Sequence, residues 1–158
     1  MIYEPNIDVK RDRGPYCGPT AIALLTGEPI SRIEQMIRRK RRGGYRDSSG
    51  RKMPIKGTYP WEVIYVLARL GCRVELPKKG VRGETLNNVV NEHLPSTGVY
   101  LIEVTGHFMV ASGGMIADTT HKTPIPISTY RRKSRRVQQV WKVTAKPKAD
   151  QPEPYTRC

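Results

Sequence analysis

The stretch Arg13-Gly14-Pro15-Tyr16-Cys17-Gly18-Pro19-Thr20, followed by Ala21-Ile22-Ala23-Leu24-Leu25, decides how the rest of the chain is read. Gly14 and Pro15 mark a turn, and Pro19 fits the first turn of a helix, where a missing N–H costs nothing. Gly27 supplies the stop. The pattern predicts a short buried helix with Cys17 at its N-terminal mouth. Unpaired amides and the positive end of a helix favour the thiolate, the reactive form of cysteine. The same amides can hold a developing oxyanion. The competing reading is a small apolar residue in a helix cap, because free cysteines are usually buried.

The length of 158 residues suits one domain, here expected over 1–143, with a charged, proline-rich and disordered tail over 144–158. No run of ~18 apolar residues is present, so no membrane span is expected. Met1-Ile2-Tyr3-Glu4-Pro5 lacks the charged start and apolar run of a secretory signal. Cys17, Cys72 and Cys158 form neither a disulfide framework nor a zinc motif. A reducing, cytoplasmic setting (or packaging in a phage particle) follows as the expectation.

The net charge of +14 is clustered. Arg38-Arg39-Lys40-Arg41-Arg42 and Arg131-Arg132-Lys133-Ser134-Arg135-Arg136 hold ten of the 28 basic residues. Such a field attracts nucleic acid, anionic surfaces or acidic proteins. It also suits a solvated face with no dedicated partner. Aromatic residues do not interleave with these runs beyond Tyr45 and Tyr130, so no stacking platform for single strands is indicated.

Downstream of the first helix, Ser31 and Glu34 read as a capping box, and Ile33, Met36 and Ile37 as the apolar stripe of a surface helix running through Arg42. Gly43 and Gly44 end it, and a flexible basic loop follows to residue 57. Thr58 is the expected N-cap of the next helix, with Trp61, Ile64, Tyr65, Leu67, Ala68 and Leu70 as its apolar face and Gly71 as its close. Cys72 to Leu76 alternates like a strand, which makes Cys72 a core residue. Thr85 caps a further helix carrying Leu86, Val89, Val90 and Leu94, with His93 at its surface end.

The second half is β-rich. Gly98 to Val104 and His107 to Ser112 are strands, Gly113-Gly114 is a hairpin turn, and Met115 to Thr119 returns as the partner. A loop punctuated by Pro124 and Pro126 leads to a last strand over Val137 to Val143. With Gly113-Gly114 as the turn, Ala111 faces Ile116, Val110 faces Ala117 and Met109 faces Asp118. His107 then shares a face with Met109, and Asp118 is its diagonal neighbour, at ~7–8 Å between backbone centres. An imidazole and a carboxylate can close that gap, giving a base with an orienting acid. Taken singly, His107 reads as a strand-edge residue and Asp118 as a turn residue bonded to backbone.

Cys17-Gly18-Pro19-Thr20-Ala21 opening a helix, Gly106-His107 opening a strand and Asp118 after a Gly-Gly hairpin together resemble the papain-like cysteine peptidase fold. The likeness is greatest to its small bacterial branch, the bacteriocin-processing peptidase-like domains, and to short peptidase-like proteins often encoded by phages. It spans about Arg13 to Val143. The resemblance implies an α+β fold with N-terminal helices packed on a small antiparallel sheet. It also implies Cys17 as nucleophile, His107 as general base and acid, and Asp118 as orienter. Papain-like enzymes usually carry a glutamine shortly before the nucleophile. This chain has Arg11-Asp12-Arg13 there, so the oxyanion falls to the Cys17 amide, aided by Asn6 or another backbone amide.

The function expected is acyl transfer by a thiol hydrolase on a peptide, isopeptide or cell-wall amide, with no cofactor. The basic runs suggest an acidic substrate, or docking to nucleic acid or a phage assembly. The alternative is an inactive papain-like basic protein that binds nucleic acid or a virion. A third reading makes Cys17, His107, Asp118 and His121 a metal site, although their spacing matches no zinc pattern.

Overall fold

Helix α1 (Cys17–Thr26) is buried on all sides from Gly18 to Leu25, as a helix apolar all round must be. The computed structural model describes residues 1–7, 16–41, 48–51, 55 and 57–145. Helix α1 starts at Cys17 and is closed by Gly27 in the left-handed conformation, both as expected. Helices α2 (Ile30–Lys40) and α3 (Pro60–Arg69) pack against it. Strand β1 (Arg73–Val74) and the short α4 (Leu86–Asn88), which widens into a π-type turn over Val89–His93, follow. Strands β2 (Val99–Val104), β3 (His107–Ser112), β4 (Met115–Ala117), β5 (Ile125–Pro126) and β6 (Val137–Thr144) complete the order.

The sheet runs β1-β6-β2-β3-β4-β5, and every neighbouring pair is antiparallel. Its two faces are both covered. Leu101, Phe108, Val110, Ala117 and Trp141 point to the three helices. Tyr100, Ile102, Val104, Met109, Ala111 and Ile116 point to a second cluster with Leu86, Val89, Ile127 and Tyr130. Two covered faces explain why β2 and β3 read as nearly continuous apolar runs. The hairpin turn has positive φ at both Gly113 and Gly114, which a side chain would resist. Its register pairs Val110 with Ala117, Ala111 with Ile116 and Ser112 with Met115, as the turn residues require.

Several expectations are corrected. Helix α2 is entered through Pro29, with no side-chain cap, so Ser31 lies inside it rather than before it. Starting two residues earlier puts Ile30 beside Ile33 and Ile37 in the core and gives its N–H to the Asn6 carbonyl. Helix α3 is capped at Tyr59, not Thr58, because Glu62 reaches back to the Tyr59 N–H. Its inward residues are Val63, Val66 and Leu67, while Trp61 is 53% exposed and stacks on Tyr59. The strand expected over 72–76 shrinks to two residues, leaving Leu76 exposed and Cys72 in the core. The loop after Pro124 contains β5 and a 3₁₀ turn.

Arg41 is also not part of an outward basic face. Its guanidinium is bound by both carboxylate oxygens of Glu62 and by the Gly57 carbonyl, and Glu62 is 1% exposed. Within the loop expected to residue 57, Ile55 is buried in the core. Arg42 to Asp47, Lys52 to Pro54, Lys56 and the tail from residue 146 lie outside the described residues, as does the turn at Gly14-Pro15. Thr144 belongs to β6 rather than to the tail.

Candidate active site

The mouth of α1 is built for a reactive side chain at Cys17. In an α-helix the first N–H groups have no partner within the helix. Here Pro19 has none to offer and Thr20 gives its N–H to the Tyr16 carbonyl, so Cys17 and Gly18 supply the free donors. Gly18 is required by a close approach: a Cβ there would lie 1.8 Å from the Thr58 hydroxyl. The loop before α3 thus closes tightly on the turn that carries the thiol.

His107 opens β3, and Asp118 follows β4. Their side chains meet as the diagonal register requires, with His107 Nε2 3.1 Å from Asp118 Oδ2. The same imidazole acts on the Cys17 thiol, through a hydrogen bond and through its charge. The thiol also takes the main-chain N–H of Phe108 and of Gly18. Strand pairing explains the Phe108 contribution. In an antiparallel ladder, alternation from the closing pair Val104 and His107 turns the Phe108 N–H towards the β4 side. Strand β4 stops at Ala117, opposite Val110, so no strand residue faces Phe108 there. That is the N–H that acts on the Cys17 thiol.

Asp118 is 3% exposed and its carboxylate is saturated. Oδ1 accepts the N–H groups of Thr120 (2.9 Å) and His121 (2.7 Å). Oδ2 accepts from His107 and from the Tyr130 hydroxyl at 2.7 Å. Burial pushes this acid up, but the bonds from His107, the His121 backbone and Tyr130 outweigh it and hold Asp118 well below the usual carboxylate range. The bond to Asp118, followed by that to Cys17, raises His107 to about 9. Burial pushes the Cys17 thiol up. The His107 and Phe108 hydrogen bonds more than offset this, so the thiol lies below its ordinary value. Both shifts favour a thiolate beside an imidazolium. Cys72, in contrast, is pushed up by burial alone.

Three of the expected residues therefore come together and the others do not. Asn6 is exposed on the N-terminal arm, with its carbonyl on the Ile30 N–H, and among the described residues its side chain has no bond to this group. Residues 11–13 lie outside the described residues. His121 sits beside Asp118, with Nδ1 3.5 Å from Oδ1 and its ring edge-on to Tyr130. Among the described residues no group of three His, Cys, Asp or Glu side chains is arranged to hold a metal. The cations of 131–136 are exposed, whereas Arg38 is half-buried and Lys40 covers the Tyr65 ring at 4.5 Å.

Among solved structures, the chain is similar to the peptidase domain of Streptococcus ComA, described as a bi-functional ABC transporter involved in a quorum-sensing pathway. The match covers 91% of this chain and 100% of that domain, with a TM-score of 0.52 and 12% identity. The fold is that of a papain-like cysteine peptidase. At this identity the likeness speaks to the fold and not to the phage branch of the resemblance. No protein-family model matches the sequence, and no curated protein does. Among the described residues no helix is long and apolar enough to cross a membrane.

Tyr130 was not legible as part of this cluster. It stands at the end of the proline-punctuated loop, after the 3₁₀ turn Ile127–Thr129, where no periodicity marks it. Tyr130→Phe leaves Asp118 Oδ2 with one donor fewer in a buried setting. A loss of about 1–3 kcal/mol is expected, read as a lower denaturant midpoint. Asp118→Asn should cost more, because an amide nitrogen must then face two N–H donors or the His107 and Tyr130 donors.

Proposed function

We propose that this chain is a cysteine-dependent hydrolase of the peptidase type, acting by acyl transfer through Cys17, His107 and Asp118. The observation that carries the reading is the His107 ring, held by a buried acid and acting on the thiol at the mouth of α1. Cys17 attacks the carbonyl carbon of the scissile amide as a thiolate, forming the C–S bond. The charge moves to the carbonyl oxygen, where the Cys17 N–H at the mouth of α1 is one donor and a further backbone amide the second. His107 gives its proton to the leaving nitrogen as the C–N bond breaks. It then takes a proton from water, whose oxygen attacks the thioester and frees the acid and the thiol. Asp118 fixes the ring tautomer and stabilises the imidazolium.

Labelling with substoichiometric iodoacetamide, mapped by mass spectrometry, tests this reading. Cys17 is expected to react well before Cys72 and Cys158 at neutral pH, and to lose that lead in His107→Ala. Equal labelling of the three cysteines would instead favour the inactive basic protein that keeps the fold and binds a partner.

A further inference from the structure

The exposed cations of residues 131–136 do not stand alone. Main-chain hydrogen bonds lay the loop 78–87 against the segment 133–140. Lys78 N–H bonds the Val140 carbonyl, Gly83 the Val137 carbonyl, Leu86 the Arg135 carbonyl and Asn87 the Lys133 carbonyl, each at 2.8 Å. Thr85 bridges to Arg136, whose guanidinium also binds the Gly83 carbonyl. Lys78, Lys79 and Arg82, distant in sequence, are thereby fixed beside the later run. All eight side chains belong to exposed residues, and among the described residues none is paired with an acid within salt-bridge distance. The nearby acids are engaged elsewhere or few: Glu84 holds Asn88, and Glu103 feels Arg82 across space.

This surface adjoins the site. Arg131 follows Tyr130, whose hydroxyl is bonded to Asp118, and the charges of Arg132 and Arg135 reach that phenol. We infer that loop 78–82 and segment 131–136 form one docking surface for an acidic segment of the protein or peptide substrate, flanking the bond presented to Cys17. The inference rests on the hydrolase reading for the word substrate. An acidic peptide fits better than nucleic acid for a specific reason. The exposed apolar side chain next to the strip is Leu76, an aliphatic residue, and the exposed aromatic pair Tyr59 and Trp61 belongs to α3. Among the described residues bases have no exposed ring there on which to stack.

The test uses the full chain carrying Cys17→Ala and three fluorescent probes: a glutamate–glycine repeat peptide, the same peptide with glutamine, and a single-stranded DNA. The glutamate peptide should bind, weaken steeply with added salt, and exceed both other probes. Lys78→Glu with Lys79→Glu should weaken it about tenfold, as should Arg131→Glu with Arg132→Glu. Arg38→Glu with Arg39→Glu on α2 should leave it unchanged. An unaltered affinity after reversal at 78 and 79, or tighter binding of the DNA, overturns the inference. Selective Cys17 alkylation in the native chain without glutamate-peptide binding overturns this inference alone. Peptide binding without selective alkylation overturns the hydrolase reading, and with it the docked segment's role as substrate.

Discussion

Cys17→Ala will abolish hydrolysis of any peptide the native chain cleaves, and His107→Ala will lower kcat/KM on the order of 10⁴-fold or more. The magnitude follows from the shared ring. Removing the imidazole takes away the bond that favours the thiolate, the base and acid of both half-reactions, and the partner of Asp118 in one step. Groups that act as a unit lose nearly everything when any one is cut. Adding Asp118→Asn to His107→Ala should therefore cost little further rate. Steady-state kinetics of the single and double variants on one peptide substrate check this. Additive losses would mean that the three side chains do not work together.

Arg41→Ala will produce the largest loss of stability expected from a single substitution outside the site, about 3–5 kcal/mol. Glu62 lies almost wholly buried in α3, and its carboxylate is shared between the Arg41 guanidinium and the Tyr59 N–H. Without Arg41 that carboxylate keeps a single amide donor in a setting with little water. Replacing both residues together, as Arg41→Met with Glu62→Leu, should recover much of the loss, because no charge is then left uncompensated. Denaturant melts of the two variants supply the comparison. An unchanged midpoint for Arg41→Ala would place the Glu62 carboxylate in solvent.

The same pair shows where reading from sequence stops. Arg41 sat in a run of five cations and looked like surface, and nothing singled out Glu62. Nothing in periodicity reveals that two opposite charges, from different helices, turn inward to face each other. The Gly113-Gly114 hairpin is the opposite case. A two-residue turn admits few registers, so Val110 against Ala117, and with it the diagonal approach of His107 to Asp118, followed from spacing alone. Cys17 at the head of α1 was legible because Pro19 and Gly27 bracket a run apolar on every side. Tyr130 and the Phe108 N–H were not, since both depend on how a loop returns and where a strand stops. The Ser31 box and the Thr58 cap failed for a common reason: each motif was locally sound, but burying Ile30, and placing Glu62 under Arg41, set the helix starts elsewhere.

The central claim is a thiolate held beside an imidazolium, and its titration tests that most directly. Thiolate absorbance of the native chain, with that of Cys17→Ala subtracted, should already be present below the ordinary thiol pKa of about 8.5. Alkylation and hydrolysis both need Cys17 deprotonated, so both should rise as pH climbs through that lowered value. Hydrolysis also needs His107 protonated, and should fall again as pH passes about 9. In His107→Ala the thiolate step should move up. A Cys17 that titrates at or above the ordinary thiol value, unmoved by loss of His107, would contradict the claim.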